Sequence, residues 1–190
     1  MTELPGKPVL YVVACGGRAA GRLGPFVAHC QDTGWEVCVV ATPSALKFMD
    51  VAPLVELTGH PVRSDYKRPD EPDVLPPADA MVVAPATFNT INKMAYGNSD
   101  TLALGLLNEA IGLGLPIVAV PTANAALARH PAFVEAVSRL RSWGVTVLLD
   151  PPRHPLPSPD DGPASAEPFP WDALTSAVAE MLSRRPGGVS

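Results

Sequence analysis

The stretch "DAMVVAPATFNTINKMAYGNSD", residues 79–100, decides how the rest of the chain is read. Its first six residues form an apolar run of the kind found in a parallel strand buried on both faces. From Pro85 onward, asparagines, hydroxyl residues and a glycine stand where the start of a packed core helix would carry leucines. A buried strand that opens at once into a polar helix start places those groups at the carboxyl end of a sheet, where open α/β sheets bind their ligands.

Four further runs resemble the first: "PVLYVVA" (8–14), "WEVCVVA" (35–41), "PIVAV" (116–120) and "VTVLL" (145–149). Helical spacing between them predicts helices over about 18–32, 43–56, 88–97, 101–113 and 123–142. Strands alternating with helices define an α/β fold, a Rossmann-like (flavodoxin-type) doubly wound parallel sheet in a single domain over 1–150. The segment 151–170, "PPRHPLPSPDDGPASAEPFP", is too rich in proline for helix or central strand and is expected to be a flap or linker. Beyond it, 171–190 carries a helix with Trp171, Leu174, Val178 and Leu182 on one face, then a tail.

Composition narrows the function. A formal net charge of -5 gives no electrostatic case for nucleic acid. No run is long enough to span a membrane. The three cysteines, Cys15, Cys30 and Cys38, have neither CxxC spacing nor an even count, so no metal site and no disulfide framework is expected, and a reducing cytoplasm is the expected location. Helix 101–113 is apolar nearly all round, which suggests packing on both sides and a homo-oligomer.

Each strand end then offers candidates. After the first run, "ACGGRAAGR" supplies Gly16 and Gly17, which let a ligand approach the backbone, followed by Arg18 and a helix start. After the second, "TPSALKF" presents Thr42 and Ser44, residues that serve equally as plain caps. "PATFNT" presents Thr87, Phe88, Asn89 and Thr90, and "PTAN" presents Thr122 and Asn124. In the last two a proline is expected to end the strand. Together the four ends outline a pocket for a polar, phosphorylated ligand.

These residues carry a family resemblance. "PATFNTINKMAYGNSDTL" resembles the PxxANT motif of the homo-oligomeric flavin-containing cysteine decarboxylases, and "PTANAALARHPAF" resembles their PxMN motif. "ACGGRAA" and "TPSALKF" are similar to the glycine turn and the T-x-x-A-x-x-F element of that family, in the same order. The resemblance implies FMN bound at a subunit contact in trimers or dodecamers, held by Gly16, Gly17, Arg18, Thr42, Ser44, Thr87, Phe88, Asn89, Thr90 and Thr122. It implies oxidative decarboxylation of a cysteine at the carboxyl end of a peptide or small thiol compound, with Asn124 on the substrate carboxylate.

Departures from the pattern are as informative. The family carries a histidine fourteen residues before the proline of PxxANT; here that position is Glu71, which is the candidate acid or base, with His60 as a second candidate. No cysteine follows Cys38, so the flap cysteine of the pantothenate branch has no counterpart. A reaction stopping at the aminoenethiol, as in the peptide-modifying branch of natural product biosynthesis, is therefore expected. Ala123 stands where the family keeps methionine, and Phe88 where it keeps alanine. Two alternatives stay open: an FMN protein with other chemistry, such as flavin prenyl transfer or another redox reaction, or a non-catalytic subunit of a partner enzyme.

Overall fold

The computed structural model describes residues 6–68, 70–150, 153–154, 156–158 and 169–184. Five parallel strands, β1 (Val9–Ala14), β2 (Glu36–Ala41), β3 (Ala80–Thr87), β4 (Ile117–Thr122) and β5 (Thr146–Val147), form one sheet in the order β2-β1-β3-β4-β5. Alternate residues of β1 face opposite ways. Tyr11, Val13 and Cys15 join a core with Ile91, Met94, Leu107, Phe133 and Leu140, while Leu10, Val12 and Ala14 join one with Phe26, Val27, Leu54, Leu174 and Val178. Helices α3 (Phe88–Ala95), α4 (Leu102–Leu113) and α6 (Pro131–Ser142) thus cover the first face. Helices α1 (Leu23–Asp32), α2 (Val51–Thr58) and α7 (Trp171–Ser183) cover the second. This is the doubly wound α/β arrangement, and burial on both faces explains why the strands read as unbroken apolar runs.

Three predicted helices are divided, each at a proline. A helix begun at 18 would set the Pro25 ring against the carbonyl of Gly21, so residues Arg18–Arg22 form a tight 3-10 turn and α1 starts afresh at Leu23. The segment 43–56 divides the same way. A 3-10 turn over Ala45–Lys47 precedes α2, whose Asp50 cap accepts from the Ala52 amide and whose third residue is Pro53. In 123–142, a four-residue α5 (Ala125–Ala128) precedes α6, which Pro131 opens from a His130 cap. In all three the proline sits in a first turn, where its missing amide costs nothing.

Conversely, two strands continue past the prolines expected to end them. β3 shifts register between Val83 and Ala86, after which Ala86 pairs with Pro121 and Thr87 with Thr122. The Pro85 carbonyl accepts the Cys15 amide at 3.0 Å. Pro85 and Pro121 therefore serve the ladder through their carbonyl side and register, with no amide demanded of them. β5 is shorter than the predicted 145–149, although the Leu148 amide still reaches the Ala119 carbonyl at 2.9 Å.

The outer edge of β2 is paired over one residue. Arg63 donates its amide to Val39 and accepts from the Ala41 amide at 2.7 Å, forming a single parallel bridge opposite Val40. The chain then runs back to Asp79 at the amino end of β1, where the carboxylate accepts the Val9 amide at 2.7 Å. Most of the 151–170 flap lies outside the described residues. Of the described part, the Pro157 carbonyl accepts the Ala125 amide at 2.8 Å, which ties that segment to the start of α5.

Among the described residues no helix is long and apolar enough to cross a membrane. None of their His, Cys, Asp and Glu side chains form a group of three that could hold a metal ion.

Candidate active site at the carboxyl ends of the strands

β1 has β2 on one side and β3 on the other, so the chain reverses its winding direction at β1, the topological switch point of the sheet. Here the turn after β1 meets the other strand ends. A Cβ built on Gly16 would stand 3.1 Å from the Ser44 Cβ, and one on Gly17 would stand 3.4 Å from the Pro85 ring and 3.8 Å from Thr122 Oγ1. Glycine at 16 thus suits the closeness of the β2 turn, and the turn at 17 lies within van der Waals reach of both β3 and β4. The Thr42 amide, donating to the Ala14 carbonyl at 2.8 Å, fixes the β2 turn to β1.

Thr87 caps α3. Its Oγ1 accepts the Thr90 amide at 3.3 Å and lies 3.0 Å from Thr90 Oγ1. Beneath this cap the buried Cys15 thiol engages the Thr90 hydroxyl, and burial keeps that thiol protonated well above its ordinary range. The remaining amides at the start of α3 point out of the carboxyl edge, as amides of a first turn must, and favour an anion there. Thr42 Oγ1 caps the Ala45 amide at 3.3 Å, as its sequence context allows.

The other expected ligand-holding side chains differ in whether the protein already engages them. The Phe88 ring turns inward, stacked on Phe133 at 5.6 Å between centroids and edge-on to His130 at 5.7 Å, so only its backbone faces the strand ends. Thr122 Oγ1 donates weakly to the Ala86 carbonyl at 3.4 Å. Ser44 and Asn89 are exposed and have no side-chain hydrogen bond to any other described residue. Arg18 is exposed on the β1 turn. Asn124 accepts the Leu127 amide through Oδ1 at 2.9 Å, which leaves its Nδ2 as a donor.

Neither acid–base candidate has a hydrogen bond to the strand-end residues among the described residues. Glu71 is exposed, its Oε2 accepts the Arg68 amide at 3.1 Å, and its carbonyl accepts Lys67 Nζ at 2.9 Å; its contacts stay within its own loop. His60 bonds Glu36 Oε1 at 2.9 Å. Glu36 is the first residue of β2, and five residues of strand at about 3.3 Å each put it roughly 16 Å from the carboxyl edge. His60 therefore belongs to the opposite end of the sheet. Counting positions from a motif locates a residue in sequence, and the intervening loop decides where it goes.

Sequence reasoning missed Cys15 beneath the α3 cap. Its one signal was a polarizable residue directly after the last strand position, in a turn whose glycines drew the attention. Two grooves among the described residues, of about 430 and 530 Å³, open away from the strand ends. The first is lined by Tyr11, Arg63, Tyr66, Lys67, Asp73 and the outer side of α4. Tyr66 lies so close to Gly105 that a Cβ there would meet its hydroxyl, so the tyrosine packs directly over the bare backbone of α4. On α4, Leu106 and the exposed Leu113 line this first groove and the half-buried Ile111 lines the second.

A doubly wound sheet with glycine turns, a capped helix start and uncommitted polar side chains gathered at its switch point defines a nucleotide- or cofactor-binding α/β protein. The chain belongs to the flavoprotein family, whose model matches residues 2–183. It is 32% identical over 180 residues to the coenzyme A biosynthesis bifunctional protein CoaBC of Mycolicibacterium smegmatis, covering 93% of this chain and 42% of the relative. To its counterpart in Bacillus subtilis it is 29% identical over 147 residues, covering 74% of this chain and 35% of the relative. The chain thus spans less than half the length of these relatives. In fold it is similar to the FMN-dependent cysteine decarboxylase SpaF, with a TM-score of 0.69 at 24% identity, covering 93% of this chain and 97% of that one. A PPC decarboxylase variant complexed with pantothenoylaminoethenethiol aligns with a TM-score of 0.60 at 26% identity, over 75% of this chain and 81% of that one.

Proposed function

We propose that the chain binds FMN at the strand-end site and oxidatively decarboxylates a cysteine at the carboxyl end of a peptide or small thiol compound, giving an aminoenethiol. The observation that carries this reading is the convergence of Gly16, Gly17, Ser44, Thr122 and the α3 start at the switch point, in a chain of the flavoprotein family. The residues fit the cofactor. Ser44 and Asn89 are exposed and have no side-chain partner among the described residues, and the first-turn amides of α3 offer a place for a phosphate.

FMN, when bound, supplies the two-electron oxidation that no side chain can perform. The chain's own residues bind and orient. Arg18, Ser44, Thr87, Asn89 and Thr90 hold the cofactor, with Thr42 and Thr122 shaping the walls and Phe88 contributing its backbone amide. Asn124 donates from Nδ2 to the substrate carboxylate while Oδ1 stays in its cap, so the leaving group is held by a neutral donor without a competing cation. The apolar outer face of α4 suits assembly into trimers, or dodecamers of trimers, in the cytoplasm.

The test is the visible spectrum of purified protein, then anaerobic bleaching with cysteine-terminated peptides and mass detection of a product lacking carbon dioxide and two hydrogens. A colourless protein that does not take up added FMN refutes the cofactor assignment. A second reading, a flavin protein with other chemistry or without catalysis, is favoured by one observation: neither Glu71 nor His60 contacts the strand-end group. A released flavin of altered mass would point to prenyl transfer. An FMN-loaded protein that is never bleached would point to a subunit of another enzyme.

A further inference from the structure

Removal of a thiol proton in the proposed reaction calls for a base at the strand ends, and the chain has four histidines. His29 is exposed in the last turn of α1, which runs from the carboxyl edge back toward the amino edge. His60 is held by Glu36 at the amino end of β2. His130 accepts the Ala132 amide through Nδ1 at 3.2 Å as the cap of α6, so its one acceptor lone pair is in use and a proton taken there would break the cap.

His154 is differently placed. It follows β5 on a turn in which its amide donates to the Asp150 carbonyl at 2.8 Å. The imidazole is half-buried and lines a small cavity of about 40 Å³ together with Pro121, Thr122, Ala123 and Pro157. Such a volume is a little more than one water molecule's share, enough for a thiol or carboxyl group. Thr122 connects this cavity to the β1 turn, since its Oγ1 lies 3.8 Å from a Cβ built on Gly17. The Ala125–Pro157 hydrogen bond fixes the His154 segment beside Asn124, the residue proposed to hold the carboxylate.

We propose that His154 is the proton-transfer residue of the strand-end site. The assignment rests on the decarboxylase reading. The imidazole takes the proton from the cysteine sulfur. The thiolate electrons then form a carbon–sulfur double bond as the Cβ hydrogen leaves with its electron pair to FMN. Breaking of the Cα–carboxylate bond releases carbon dioxide, and its pair forms the carbon–carbon double bond while the sulfur regains its negative charge. Imidazolium returns the proton to sulfur. One thiol and one FMN give one enethiol, one carbon dioxide and one reduced flavin anion, which molecular oxygen reoxidises.

Two measurements test this. In the FMN-loaded protein, the His154 ring resonance, assigned by its loss in His154→Ala, is followed while a peptide ending in serine is added; this ligand keeps the carboxylate and lacks the oxidisable thiol. A saturable shift of that resonance is expected, and an unmoved resonance overturns the assignment. Turnover of cysteine-terminated peptide by His154→Ala is expected to fall about 100-fold in kcat with KM within about threefold, and added imidazole should restore part of it. Unchanged kcat, or a loss that imidazole does not relieve, overturns the proposal while the decarboxylase reading stands. Wild-type protein that holds FMN yet releases no carbon dioxide overturns both.

Discussion

Gly21 and Gly24 stand three residues apart at the entry to α1 and should respond in opposite directions to the same substitution. Neither has the positive backbone angle that excludes a side chain, so space alone decides. A Cβ at 21 would lie 2.8 Å from the Phe48 carbonyl oxygen, and that oxygen belongs to backbone that cannot rotate away. A Cβ at 24 would meet nothing within 4 Å. Alanine in place of a compatible glycine stabilises by about 0.4–1 kcal/mol through the unfolded chain. Overpacking at 21 opposes this by about 1–3 kcal/mol, and because the 2.8 Å contact is to backbone the cost lies in the upper part of that range, leaving a net loss of about 1–2 kcal/mol. For a chain of this size each kcal/mol moves Tm by about 2–4 °C. Gly21→Ala should therefore melt about 2–8 °C lower, and Gly24→Ala about 1–4 °C higher. Thermal denaturation followed by circular dichroism, with FMN at a fixed concentration, reads both. Because Phe48 closes the turn that carries Ser44, only Gly21→Ala should also weaken FMN. Equal shifts, or a stabilised Gly21→Ala, would refute the contact between the β1 and β2 turns.

Asn89→Asp places a negative charge at an exposed position beside the proposed phosphate, and FMN affinity measured by fluorescence titration should drop at least tenfold, about 1.4 kcal/mol. Asn124→Ala should lose a cap worth about 1 kcal/mol while retaining FMN and losing turnover. Asn124→Ser restores the cap without the Nδ2 donor, so it should recover stability and stay inactive; recovery of carbon dioxide release would remove Asn124 from the carboxylate site. Burial raises the thiols of Cys30 and Cys38 to about 12 from an ordinary 9.0, and the Tyr11 phenol to about 12 from 10.0. Between those values the unfolded chain binds fewer protons than the native one, so stability should fall as pH rises from about 9 toward 12. Urea midpoints flat across that interval would contradict the burial of all three.

The sheet and the position of its site were legible because both-face burial leaves continuous apolar runs, and because open sheets of this class bind ligands at the carboxyl ends of their strands. Helix boundaries were less so. Periodicity ran through Pro25, Pro53 and Pro131 without registering that each must stand in a first turn. Phe88 was read as facing a ligand, yet it is satisfied by Phe133, a partner 45 residues on that no local pattern names. His60 shows the same limit: a loop of many residues carries a side chain wherever its own hydrogen bonds hold it. His154 lay in a segment read only as proline-rich, and its nearness to Thr122 depends on a hydrogen bond between Ala125 and Pro157 that sequence spacing does not encode.

The single bridge between Arg63 and Val40 has a consequence for how copies of this chain can meet. An unpaired border strand is an open template, and a neighbour that adds its own strand there can propagate without limit. Arg63 occupies that template at the carboxyl half of β2 and brings a charged side chain to the rim. At the other border β5 offers only two paired residues. With both borders blunted, backbone-to-backbone growth into fibres is disfavoured, and self-association is directed to side-chain faces, where the contact can be closed and finite.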